Sequence, residues 1–391
     1  MRRKRRKSNL IVTLCALLIL ALLLGVAGWY WQGQRQRATR HDSRSAVSSA
    51  KTSVKKVARS EQPSQASSSR TIDQGAQQKL EATLDENNFV GTGLLVRNGE
   101  VVALYSRGYA DFQSKRLNTP NTTYQINSMQ KCLTGFLVMK QVEAGKVALT
   151  DHLAKYFPQV PGSAQITLAQ MMQMTSGLSM ASMGSGAYES DADVLQRDLA
   201  QVQFSEANFG HANYQPVNFV LLAGIVEKVS GKSYRQLFQE QLIAPLGLKQ
   251  TYFGYEITPQ QVVATGYTAI GNQSSYQEPT VLSSAQQHYE LGTGQIFMSV
   301  LDCYRAVRAI SAGKLLPAAL TAQQFQGGLN HYTGGMYNTE PFRSANGGGA
   351  GFCSTIHITP NGENAVVLLS NQSAATSWVS KLATILEPAA S

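Results

Sequence analysis

Tyr124-Gln-Ile-Asn-Ser-Met-Gln-Lys131 ends an extended segment, Thr123–Ile126, and opens a run whose apolar residues Leu133, Phe136, Leu137, Met139 and Val142 recur at helical spacing until Gly145. The helix expected over Ser128–Ala144 therefore begins at a serine and carries a lysine three residues on, on the same face. The spacing alone is weak, because Ser-x-x-Lys also occurs at Ser48/Lys51, Ser53/Lys56 and Ser311/Lys314. The first two lie in a polar tract without apolar pattern, and the last runs through Gly313 towards a turn. Only Ser128 opens a long apolar helix. A helix N-terminus favours negative charge on the serine oxygen and disfavours a protonated lysine, so a buried Lys131 there could serve as base to a nucleophilic Ser128. A capping serine beside a solvated lysine fits the same residues, and the local sequence leaves both readings open.

Outward from this point the elements alternate in type. Residues 74–86 read as a short helix, and Val90–Val96 and Val101–Tyr105 as strands joined at Asn98-Gly99, a strong hairpin signal. The stretch 150–260 reads as mostly helical. Near the C-terminus, Thr355–Ile358 and Ala365–Ser370 flank the turn Pro360-Asn361-Gly362, and a helix is expected over Ser377–Leu386. Strands at both ends with helices between predict an α+β domain, an antiparallel sheet flanked by helices with an inserted helical region.

The N-terminus has a different character. Residues 1–9 carry six basic residues and precede an apolar run from Leu10 to Trp31 that ends in Trp29, Tyr30 and Trp31. This pattern predicts a transmembrane signal anchor over residues 10–31 with an aromatic belt and a cytoplasmic basic tail over 1–9. A cleavable signal with Gly25-Val26-Ala27 as its site is the alternative. Residues 32–72 are rich in Ser, Gln, Arg and Lys and read as a disordered basic linker, leaving 73–391 as the folded domain. The expected location is therefore a single-pass cell-membrane protein with its domain extracytoplasmic. The formal charge of +10 first suggests an anionic partner, but residues 1–70 hold fifteen Lys/Arg against Asp42 and Glu61, net +13. The remaining residues carry 19 basic against 22 acidic, net −3, so the domain lacks the basic footprint of a nucleic-acid binder. Cys15, Cys132, Cys303 and Cys353 show no metal-ligand spacing and no dense disulfide pattern, and Cys132 reads as a small buried hydrophobe.

With these segments in place, Tyr124–Lys131 resembles the nucleophile motif of the serine β-lactamase/penicillin-binding superfamily. Ile166–Leu178, with its Thr-Ser-Gly-Leu turn, Asn218–Gly231 and Pro245–Tyr252 resemble further segments of that family in the same order, so the likeness spans about Asn88 to Gln372. It is nearest to the class C β-lactamase-like, D-alanyl carboxypeptidase/esterase branch. The resemblance implies a β-lactamase/transpeptidase-like fold, no metal and no organic cofactor.

It also implies site residues. The family's Tyr-x-Asn motif corresponds to Tyr214-Gln215-Pro216, with Tyr214 in the proton-shuttling role and Pro216 where an Asn side chain would donate to substrate. A packed tyrosine with a satisfied hydroxyl is the structural alternative. The third motif, Lys-Thr-Gly or His-x-Gly in relatives, corresponds to Ala345-Asn346-Gly347, which lacks the basic residue that attracts a substrate carboxylate. Arg343 lies two positions earlier on the same strand face and is the candidate replacement. Asn346, Gly347 and Gly348 are expected to line the substrate, with an oxyanion hole from the N–H of Ser128 and one near Gly348. A flexible glycine turn is the plainer reading of the glycines.

The leading expectation is a membrane-anchored serine acyl hydrolase acting through a Ser128 acyl-enzyme on cell-wall peptides or D-alanylated polymers. The alternative is a catalytically degenerate wall-binding or regulatory protein, since Pro216 and Ala345 alter two motifs. The sequence specifies no oligomeric state.

Overall fold

The computed structural model describes residues 72–182, 186–269, 275–327, 331–373 and 376–388. The expected membrane span at 10–31, the basic tail and the linker up to residue 71 lie outside the described residues. Among the described residues no helix is long and apolar enough to cross a membrane.

Helix α1 (Gln74–Glu86) starts where Asp73 Oδ1 accepts from the Ala76 N–H at 2.7 Å. Strands β1 (Gly91–Arg97) and β2 (Glu100–Arg107) follow as the expected hairpin, β1 shifted by one residue and β2 extended at both ends of its apolar pattern, with Asn98 and Gly99 both at positive φ. After the hairpin a 3₁₀ turn, Asn127–Met129, leads into α2 (Gln130–Glu143). Farther on come α3 (Val217–Ser230), α4 (Val300–Ser311) and α5 (Ala318–Phe325). Strands β3 (Tyr332–Thr333), β4 (Met336–Asn338), β5 (Arg343–Gly349), β6 (Phe352–Ile358) and β7 (Ala365–Ser370) precede the terminal helix α6 (Thr376–Leu386).

The seven strands form one antiparallel sheet in the order β3-β4-β5-β6-β7-β1-β2. Strands from early and late in the sequence meet inside this sheet, where Gly91 of β1 pairs with Ser370 of β7. Strand β1 is buried along nearly its whole length because both faces are covered, and its side chains alternate between two cores. Leu95 joins Leu80 and Leu84 of α1 and Val379, Leu382 and Leu386 of α6, whereas Leu94 and Val96 face the larger core that holds α2, α3 and α4. This arrangement puts α2 inside the larger core. Its first ten residues, Gln130–Met139, are all buried, which explains why its apolar stripe reads so broad.

Two expectations change in detail. The region 150–260, expected to be mostly helical, also holds strands: Ser176–Met180 pairs antiparallel with Val202–Phe209. The helix expected to begin at Ser128 begins at Gln130, because the preceding residues form a tighter turn with Asn127 at φ 47°. The three described cysteines, Cys132, Cys303 and Cys353, are buried.

Candidate active site

The turn that carries Ser128 is fixed on two sides. Tyr124–Gln125 pairs with Phe297 and Met298, the Ile126 N–H donates to the Ile296 carbonyl at 2.9 Å, and Gln125 Nε2 donates to the Gly294 carbonyl at 2.7 Å. On the other side Ser354 Oγ donates to the Ile126 carbonyl at 2.9 Å. Asn127 Nδ2 donates to the Gly349 carbonyl at 3.3 Å, so its strained left-handed backbone is held by strand β5. Ser128 is then projected, half-buried, at the head of α2.

Lys131 Nζ donates to Ser128 Oγ at 2.8 Å, and Lys131 is completely buried. Burial pushes its amine down to about 7, opposed by the negative charge of Glu290. Tyr214 stands beside this pair, its ring centroid 5.4 Å from Lys131 Nζ and packed edge-on against Tyr332 at 5.5 Å. Tyr214 is 41% exposed, yet the neighbours packed around it desolvate its hydroxyl and raise the pKa, while hydrogen bonding with Ser128 and Tyr332 opposes the rise. Tyr214 precedes α3, whose first turn is anchored by Asn218: its Oδ1 accepts from Ser176 Oγ at 2.6 Å and its Nδ2 donates to the Gln215 carbonyl at 3.0 Å. Pro216 stands at the head of α3 with φ −54°, a backbone angle suited to starting a helix.

A cleft of about 260 Å³ opens above Ser128, lined by Asn127, Ser128, Lys131, Pro216, Glu290 and Thr293 together with Leu282 and the Gly348–Ala350 bend. Strand β4 pairs only with Ser344 and Arg343 of β5, so Ala345–Gly349 is a free edge running beside the nucleophile turn. Gly347 is where the two backbones come closest: a Cβ there would meet the Ile126 carbonyl oxygen at 2.0 Å. The structure thus brings Ser128, Lys131, Tyr214, Gly347 and Gly348 into one neighbourhood. Asn346 lies on the same edge strand, but its Oδ1 is engaged by Thr355 Oγ1 at 2.6 Å.

Arg343 is placed elsewhere. Its Nη1 donates to the Ser311 carbonyl at 3.1 Å and to Ser311 Oγ at 2.7 Å, and its guanidinium stacks 4.1 Å from the Phe325 ring centroid. The expected substitute for the missing basic residue is therefore a half-buried link between β5, α4 and α5, outside the cleft lining. The reason is distance along the strand: Arg343 shares a face with Ala345, but five residues from Gly348 amounts to about 17 Å of extended chain.

Sequence reading passed over Glu290, Thr293, Asn127 and Tyr332. Gly292-Thr-Gly294 is the signal that could have pointed to the first two, since glycines two apart mark close approach. Here the approach is to Glu290 itself, whose Oε2 a Cβ on Gly294 would meet at 2.5 Å. Asn directly before the serine is a similar clue, because Asn tolerates left-handed backbone.

The family model for Beta-lactamase matches residues 76–389. PbpX of Bacillus subtilis (strain 168), whose name classes it with penicillin-binding proteins, is 30% identical over 303 residues, covering 77% of this chain and 75% of that one. Teichoic acid D-alanine hydrolase of Staphylococcus aureus is 28% identical over 306 residues, 75% of this chain and 73% of the relative. The crystal structure of FmtA from Staphylococcus aureus superposes with a TM-score of 0.71 at 25% identity, covering 85% of this chain and 90% of that one. A serine one helical turn from a buried lysine, beside a free sheet edge, thus sits in a matching fold, and the chain belongs to the beta-lactamase family.

Proposed function

We propose that this protein is a membrane-anchored, extracytoplasmic serine acyl hydrolase that cleaves D-alanyl groups from cell-wall peptides or polymers through a Ser128 acyl-enzyme. The observation that carries the reading is the 2.8 Å contact between Ser128 Oγ and a fully buried Lys131. The amine held near 7 is substantially uncharged at neutral pH and can take the serine proton. The name of the Staphylococcus aureus relative, teichoic acid D-alanine hydrolase, supports the acyl group, and the apolar run at 10–31 supports the anchor.

In this reading Ser128 Oγ attacks the carbonyl carbon and its proton passes to Lys131. The oxyanion is stabilised by the Ser128 N–H and by an N–H of the free edge near Gly348. Collapse expels the alcohol or amine, which takes a proton by way of Tyr214. Water then attacks the acyl-serine, releasing the acid and restoring the Ser128 hydroxyl.

Pro216 in the cleft lining, where relatives carry a donor, supports a second reading: a wall-binding protein on a hydrolase scaffold. Intact-mass measurement after exposure to an activated D-alanyl ester or a fluorescent penicillin separates the two. An adduct on the parent that is missing from Ser128→Ala supports the hydrolase. No adduct from any acyl donor supports the binding protein.

A further inference from the structure

We propose that Glu290 selects acyl donors bearing a free ammonium group beside the scissile carbonyl, as an aminoacyl ester does, and disfavours donors ending in a carboxylate. The inference deepens the acyl-hydrolase reading of the same cleft and rests on it.

The charge inventory of the cleft comes first. Of the residues lining it, Glu290 is the one carboxylate and Lys131 the one cation, and Lys131 as a base must be uncharged when substrate binds. Among the described residues no lysine or arginine forms an ion pair with Glu290. The usual attractor of a substrate carboxylate is absent, since Ala345 replaces it and Arg343 is committed to Ser311 and Phe325. A donor with a terminal carboxylate would therefore meet an anion and no matching cation, whereas an ammonium would meet its counter-ion.

The carboxylate is also built into place. Its segment is tied to the nucleophile helix, where Thr134 Oγ1 donates to the Gly292 carbonyl at 2.6 Å, and to the nucleophile turn through Gln125 and Gly294 at 2.7 Å. The N–H groups of Thr293 and Gly294 donate to the Glu290 carbonyl at 2.9 and 3.0 Å, closing a tight turn. Gly294 supplies the space its Oε2 occupies. Burial raises the Glu290 carboxyl above its ordinary range, opposed by the Lys131 charge and by hydrogen bonding from Thr293. A carboxylate so desolvated gains from any cation brought to it.

The arrangement has a catalytic corollary. Glu290 holds the Lys131 pKa up, against its work as a base. An ammonium bound to Glu290 cancels that field, so the correct substrate makes Lys131 a readier proton acceptor at the moment it is needed.

The test compares D-alanyl and N-acetyl-D-alanyl esters of one alcohol at pH 7, as a ratio of kcat/KM within each enzyme so that altered stability cancels. The parent should prefer the free-ammonium ester by roughly tenfold or more, E290Q should lose most of that preference, and E290D should retain part of it. An unchanged ratio in E290Q, or no preference in the parent, overturns the proposal. Binding of D-alaninamide and N-acetyl-D-alaninamide to S128A, measured by calorimetry, separates the two levels of inference. Tighter binding of the free amine, abolished in S128A/E290Q, supports Glu290 even if the parent hydrolyses nothing, while equal binding of the two amides overturns it.

Discussion

Lys131 Nζ lies 2.8 Å from Ser128 Oγ with its side chain completely out of water, so burial lowers the amine's pKa while the contact places it to take the hydroxyl proton. With the amine held near 7, kcat/KM should rise as pH increases through about 7, the limb tracking loss of the Lys131 proton. Lys131→Met should lower acylation about 100- to 10,000-fold. Stability gives an independent check. The folded state binds fewer protons than the unfolded one between about 7 and the ordinary lysine value of 10.5, so parent stability rises with pH across that window. The melting temperature of K131M should therefore exceed the parent's by most below pH 7 and by least near pH 10. A constant difference across pH would show that the amine is not desolvated.

Gly347 marks the place where the sheet edge and the nucleophile turn touch. Gly347→Ala would press a methyl group onto the Ile126 carbonyl, two residues before Ser128, and neither backbone can yield without moving the other. A loss of about 1–3 kcal/mol and a disproportionate fall in kcat are expected. Gly327→Ala, with nothing within 4 Å of the added atom, is the matched control and should change neither. Denaturant midpoints with turnover of a neutral ester make the comparison; equal behaviour of the two variants would remove the proposed link between the edge and the serine.

What could be read in the sequence was local. The hairpin at Asn98-Gly99, helix α2 and strand β7 announce themselves through period-two or helical patterns within ten or so residues. The Ser128–Lys131 contact is of the same kind, one turn of one helix. Tyr214 was reachable only through family likeness, because 83 residues separate it from Lys131 and no periodicity bridges them. Glu290 enters from still farther along the chain after a short helix, and the glycines at 292 and 294 signal a close approach there without showing that the carboxylate shares a cleft with Ser128. Arg343 shows the opposite limit: strand alternation gives its face correctly but not what that face meets two residues along.

Arg343 should accordingly matter for stability rather than for substrate. Arg343→Ala removes two hydrogen bonds to Ser311 near the end of α4 and the stacking on Phe325, for an expected loss of about 1–3 kcal/mol. The ratio of kcat/KM between an anionic and a neutral acyl donor should stay at the parent value. A selective loss on the anionic donor would return Arg343 to the substrate site.

Glu227, on α3 behind the site, offers a pH test that does not involve the nucleophile. Its Oε1 accepts from the Tyr234 N–H at 2.6 Å, and burial, with Asp191 nearby, pushes its carboxyl up to about 7. The folded state thus holds a proton that the unfolded chain releases near 4.5, so this group lowers stability as pH rises from 4.5 to 7 and leaves the loss in full above 7. Glu227→Gln keeps an acceptor for Tyr234 and cannot ionise. Its melting temperature relative to the parent should therefore be higher at pH 8 than at pH 5. Because α3 begins just after Tyr214, the parent should also lose activity at alkaline pH sooner than E227Q on prolonged warming. A melting difference independent of pH would show that the folded state does not raise the Glu227 carboxyl.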